Sequence, residues 1–223
     1  MYLRQDLFTL LLYFIVGMSN VETTDINTNT DDSNTVSKAF TPPPGYEKMS
    51  LLAKPLKFSG VVTKGFQRGS KLLGIPTANI PIDNPDNKQQ KEDVEELGTG
   101  IYFGWAKLFK NKEALVNNSK NDDEHDDDDF INVTYKTVVS IGWNPYFKNK
   151  EKTIEPYIMH EFAEDFYGYY LQILLCGYLR PELDFTTMEN LKKAIHDDID
   201  LSKSLLDQSP YKEFQNDLDN NKM

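Results

Sequence analysis

Apolar and β-branched residues gather in four segments, Phe58 to Thr63, Ile101 to Phe109, Val133 to Ile141 and Tyr169 to Leu179. Aromatic and branched side chains suit a pleated, half-buried surface, so each segment predicts a strand. In the last, Leu171, Ile173 and Leu175 share one face while Gln172, Leu174 and Cys176 share the other. The period then changes. Met188, Leu191, Ile195 and Ile199 fall on one helical stripe, and Thr186 with Glu189 has the spacing of a capping box. Strands at such intervals, separated by glycine turns and followed by one helix, predict a small antiparallel β-barrel carrying a C-terminal helix.

The remaining chain is polar. Residues 84–97 and 111–130 read as inserted loops, the second holding Asp126 to Asp129 beside His125. That run lacks the spaced glycine and closing glutamate of an EF-hand and reads as a solvated loop. Residues 19–50 are rich in Asn, Thr, Asp and Ser and read as a disordered linker closed by Pro42-Pro43-Pro44-Gly45. Residues 1–18 hold an apolar run at 7–18, short of the ~20 residues that span a bilayer and closer to a signal-type core. A membrane anchor, a cleaved signal and a mitochondrial presequence all remain open for it. The domain organisation expected is therefore an anchor or signal-like segment at 1–18, a linker at 19–50, a barrel domain at 51–210 and a tail at 211–223.

Charge narrows the partners. The net charge is −11, which argues against nucleic acid. Segments 1–50, 84–97 and 111–130 together carry more acid than that whole excess, so the barrel itself is nearly neutral. One cysteine, Cys176, allows no internal disulfide and reads as a small core residue. Three scattered histidines exclude a histidine- or cysteine-built zinc site. Trp105 and Trp143 default to core packing.

Chemistry concentrates in the run from Gly65 to Asn79. It holds three glycines, Arg68, Lys71, and the pair Thr77 and Asn79. Glycines allow close backbone approach, cations beside them suit phosphate, and two neutral oxygens on one face of an extended segment suit a hard cation. It is not a P-loop, because Ile75-Pro76 follows where a helix should open. The run reads as a strand-to-strand arch for a metal-bound nucleotide, against the simpler reading of a glycine-rich hairpin loop.

The arch and the motifs after it resemble the riboflavin kinase (flavokinase) family. The matching stretches are Gly60-Val61-Val62 through Pro76-Thr77-Ala78-Asn79, Gly100 to Gly104, Val138 to Pro145, Ile154 to His160, Asp165 to Gly168, and Gly177 to Glu182, in the family's order. The resemblance implies a six-stranded Greek-key barrel and transfer of the ATP γ-phosphate to riboflavin. It implies Glu155 as general base, and Thr77 and Asn79 holding magnesium, with manganese or zinc as alternatives. Gly65, Lys71, His160 and Tyr167 match nucleotide-side positions, Arg68 is suited to steer phosphates, and Arg180 matches a flavin-side position.

Each assignment has a plainer competitor. Glu155 could pair with Lys150 or Lys152, and Arg180 with Glu182 or Asp184. The expected partners are riboflavin and ATP, with no nucleic acid, membrane contact only through residues 7–18, and a monomeric state. The expected location is intracellular, with the apolar segment as an anchor to a mitochondrial or endoplasmic reticulum membrane. A bifunctional enzyme that also adenylylates its product is not accommodated in the segment before the barrel. A flavin carrier without catalysis and an acidic β-barrel interaction protein are the readings from other classes.

Overall fold

The computed structural model describes residues 42–64, 74–83, 88–117, 130–143 and 151–219. The apolar run 7–18, most of the linker and the Asp-rich run 122–129 lie outside them. In chain order the elements are β1 Ser50–Val61, α1 Lys88–Glu96, β2 Gly100–Phe109, α2 Lys112–Asn117, β3 Thr134–Trp143, β4 Lys152–Ile158, β5 Tyr170–Arg180, α3 Met188–Leu206 and α4 Gln215–Asp219. The strands form one antiparallel sheet in the order β1-β5-β2-β3-β4.

Both faces of the sheet's middle are buried. Phe58, Ala106, Leu108, Val139, Ile141, Ile154, Leu171, Ile173 and Leu175 make an inner core. On the outer face Phe103, Trp105, Leu174 and Cys176 pack under Leu205 and Leu206 of α3 and Leu218 of α4. This is why β2 and β5 read as nearly continuous apolar runs, whereas β4 alternates buried and half-buried residues along its whole length.

Five strands form among the described residues, not six. The place of a sixth is taken by the segment around Asn79, which bonds in both directions. Ala78 N–H donates to the Pro156 carbonyl at 2.9 Å and Ile80 N–H to the Ile154 carbonyl at 3.2 Å, while Thr63 N–H donates to the Asn79 carbonyl at 3.0 Å. Pro156 has no N–H to return to Ala78, so pairing with β4 is confined to a bridge at Ile80 and Ile154.

Other sequence expectations shift locally. The 84–97 insertion contains a helix, α1, because Val94 and Gln90 find burial. The Gln90 side-chain oxygen accepts the Ser59 N–H at 2.8 Å, covering an edge-strand donor. The 111–130 insertion opens with α2, capped by the Asn111 side chain on Ala114 N–H at 2.8 Å. The cap of α3 is Thr187, extended at φ −136° and ψ 157° and bonded to Asn190 N–H, one residue beyond the expected Thr186. The packed body also exceeds 51–210 at both ends, since Tyr46 and Leu218 are buried. The tail is strapped down by Trp105 Nε1, which donates to the Tyr211 carbonyl at 2.9 Å, and by Lys107 on Asp219 at 3.3 Å. Cys176 is buried as expected, whereas Trp143 is 45% exposed at the end of β3.

Lys152 is committed to α1. Its ammonium donates to the carbonyls of Val94, Glu95 and Leu97, which are left open at the helix C-terminus. Lys152→Met should therefore destabilise the fold by about 1–3 kcal/mol through unpaired carbonyls. Urea unfolding checks the loss, and hydrogen exchange should report faster opening of α1 than of β2.

Candidate active site

The alternation of β4 decides where its polar side chains go. Lys152, Ile154, Pro156 and Ile158 are buried, and Thr153, Glu155 and Tyr157 face the other way, half-buried. Glu155 pairs with Ser140 of β3, and Thr153 pairs with Gly142. The Thr153 hydroxyl donates to a Glu155 carboxylate oxygen at 3.1 Å.

On the opposite flank of β4 lies the segment that ends the arch. The bridge between Ile80 and Ile154 fixes its register. Moving one residue each way sets Asn79 opposite Glu155, and the Ala78–Pro156 bond then sets Thr77 opposite Tyr157. Ala78 and Ile80 enter the core, so Thr77 and Asn79 share the outer face with Glu155. Opposed side chains in such a pair have Cβ atoms about 4.5–5.5 Å apart. Three residues singled out in the sequence thus lie on one face, on the two sides of one strand gap.

Electrostatics favour proton uptake at this point. Burial pushes the Glu155 carboxyl above its ordinary value, the Thr153 hydroxyl bond pulls it back in part, and the Glu182 carboxylate raises it further. Lys152 does not compensate it, being held by the α1 carbonyls. A carboxylate with raised proton affinity, one oxygen oriented by Thr153 and a neutral amide opposite, is equipped to accept a proton from a hydroxyl.

Arg180 has a different ion-pair partner from those expected. It is 5% exposed at the end of β5, and its fork grips Asp198 of α3, Nε to Oδ1 at 2.8 Å and Nη2 to Oδ2 at 2.6 Å. Its Nη1 donates to the Pro181 carbonyl at 2.9 Å, and Tyr46 donates its hydroxyl to Asp198 at 2.9 Å. The partner is therefore Asp198 rather than Glu182 or Asp184, because α3 crosses directly above the strand end.

His160 and Tyr167 lie near the root of the arch. His160 packs against Tyr135 and Phe162, each with its ring centroid 4.7 Å away, and those two rings also touch each other. Tyr167 carries the Lys64 ammonium 5.4 Å above its ring, and the next residue, Gly168, donates its N–H to the Val62 carbonyl at 2.9 Å. Gly65, Arg68 and Lys71 lie outside the described residues. Among the described residues no group of three or more His, Cys, Asp or Glu side chains is arranged to hold a metal ion. No helix among them is long and apolar enough to cross a membrane.

The sequence reading missed Thr153, Ser140 and Asp198. Both Thr153 and Ser140 are neutral residues; Ser140 falls within the Val138 to Pro145 stretch, where nothing sets it apart from its neighbours. Asp198 is one acid among several on α3, distinguished only by its burial at 2% exposure.

Comparison with known proteins identifies the family. A flavokinase profile, described as riboflavin kinase, matches residues 52–206. A riboflavin kinase of Eremothecium gossypii is 42% identical over 166 residues, covering 70% of this chain and 86% of that protein. Human riboflavin kinase is 43% identical over 148 residues, covering 66% and 79%. A bifunctional riboflavin kinase/FMN phosphatase of Arabidopsis thaliana is 42% identical over 168 residues, but this chain spans only 38% of its length. The crystal structure of riboflavin kinase from Trypanosoma brucei superposes with a TM-score of 0.53 at 26% identity, covering 73% of this chain and 87% of that one. With the arch, the strand carrying Glu155 and the β5–α3 junction all inside the matched region, the chain belongs to the riboflavin kinase family.

Proposed function

We propose that this chain phosphorylates riboflavin, transferring the γ-phosphoryl group of ATP to the 5'-hydroxyl to give FMN and ADP. The observation that supports this reading is the backbone register that sets Asn79 opposite Glu155 of β4, with Thr77 on the same face. Glu155 takes the proton of the 5'-hydroxyl as its oxygen forms a bond to the γ-phosphorus. The bond from that phosphorus to the bridging oxygen breaks, and ADP leaves with the electron pair. Phosphoryl transfer asks the protein mainly for positioning and charge compensation, which a rigid strand pair supplies.

Thr77 and Asn79 fit a magnesium ion, whose shell is completed by water and phosphate oxygens rather than by a protein carboxylate cage. When bound, magnesium neutralises developing charge on the phosphates; manganese and zinc are the alternative ions. Gly65, Arg68 and Lys71 are assigned to the ATP phosphates, and His160 and Tyr167 to the nucleotide side. Arg180 serves the flavin side by fixing the turn that follows it. The segment at 78–80 acts as the sixth strand, closing the sheet into a barrel between β4 and the end of β1.

The enzyme works as a monomer inside the cell, and residues 7–18 supply any membrane contact. Asn79→Ala tests the metal assignment. It should raise the magnesium concentration needed for half-maximal rate by at least about tenfold, the cost of one lost ligand contact. An unchanged magnesium dependence contradicts the role of Asn79.

A further inference from the structure

Beyond Glu155 the outer face continues to a second carboxylate. Glu182 follows Arg180 and Pro181, and its side chain folds back over Gly142 of β3. A methyl group built on Gly142 would collide with Glu182 Oε1 and lie 3.3 Å from Cδ and 3.6 Å from Oε2. Gly142 pairs with Thr153, whose hydroxyl is bonded to Glu155. Thr99 donates to the Glu182 carboxylate, and Arg180 secures the turn from below through Asp198 and the Pro181 carbonyl. The residue as a whole is exposed.

These positions form a line. Asn79, Glu155 and Ser140 step across neighbouring strands, at about 4.8 Å per strand, and Gly142 lies two residues along β3 from Ser140 on the same face. Past Glu182 the chain presents apolar surface, namely Leu183, 45% exposed, and Phe185 with the Arg180 guanidinium 6.0 Å from its ring centre. A substrate whose terminal hydroxyl meets Glu155, and whose flat ring lies on the apolar side, runs its polyol chain past Glu182. Hydroxyls of such a chain are donors, and an ionised carboxylate is the strong acceptor for them.

We infer that Glu182 is a substrate-specificity residue that accepts hydrogen bonds from the ribityl hydroxyls and so holds the polyol chain on this face. This inference rests on the phosphoryl-transfer reading above. Gly142 belongs to the same device, since only a residue without a side chain lets the carboxylate settle there.

Steady-state kinetics of the full chain test it. Glu182→Ala should raise the riboflavin KM about tenfold, with kcat changed less than about threefold, because uniform binding is lost. The ATP KM should not move. Discrimination between riboflavin and the analogue with one inverted chain hydroxyl should shrink. Gly142→Ala retains the charge but displaces it, and should shift the riboflavin KM and the discrimination in the same direction. Wild-type riboflavin KM and discrimination in Glu182→Ala overturn the inference, as does a fall in kcat at fixed KM or an equal rise in the ATP KM. Glu155→Gln measured alongside separates the two levels. If it is inactive while Glu182→Ala behaves as wild type, only the Glu182 inference fails; if it remains active, the reading of the base fails with it.

Discussion

Replacing Glu155 with glutamine is expected to lower kcat by about 10²–10⁴-fold, the usual contribution of a positioned general base. Glutamine preserves the shape and still accepts the Thr153 hydroxyl, so riboflavin and ATP binding should persist. The pH profile should carry the same signature. Because burial raises the Glu155 carboxyl, the acidic limb of kcat against pH should fall above the ordinary glutamate value of about 4.3. The active form is the carboxylate, so rate is lost as pH falls through that raised value. Stability runs the opposite way. A group whose pKa is raised on folding favours the folded state below its unfolded pKa, and that contribution is lost as pH rises through the folded one. At neutral pH the buried charge therefore costs stability, and Glu155→Gln should be at least as stable as wild type. Stopped-assay kinetics and thermal melts at neutral pH check both statements.

The second large effect concerns the β5–α3 junction. Asp198→Ala should destabilise the protein by about 3–5 kcal/mol, because it strands the Arg180 guanidinium in a buried site without its partner. That corresponds to a fall in Tm of roughly 10 °C for a chain of this size. The Tyr46 hydroxyl loses its acceptor in the same variant, which loosens the segment before β1. Replacing both Arg180 and Asp198 with apolar residues should recover much of the loss, since the pair attracts largely by offsetting its own desolvation. Differential scanning calorimetry on the single and double variants makes the comparison. The double variant should still show an elevated riboflavin KM, because nothing then fixes the turn bearing Glu182.

Legibility differed by element for physical reasons. β2 and β5 are buried on both faces, so their apolar runs mark them clearly. β4 did not stand out, because Lys152, Glu155 and Pro156 dilute its signal; its alternation emerges once Lys152 is seen to be neutralised by helix carbonyls rather than by solvent. The helix at Lys88–Glu96 was hidden by an acidic composition that resembles a loop, and its two buried residues, Gln90 and Val94, are too few to set a period. The site was legible in parts. Thr77, Asn79 and Glu155 were found through motifs, but their meeting across β4 depends on a register that only the backbone bonds supply. Arg180 was flagged correctly as a strand-end cation, while its partner lies eighteen residues on, where no local pattern points to it.

The most direct measurement is the reaction itself. The full chain is incubated with riboflavin, ATP and magnesium, and flavins and nucleotides are separated by chromatography. FMN and ADP should form in equal amounts, and both should disappear with Glu155→Gln or on chelation of the metal. Riboflavin bound without conversion to FMN would contradict the kinase reading and leave a flavin carrier built on the same barrel.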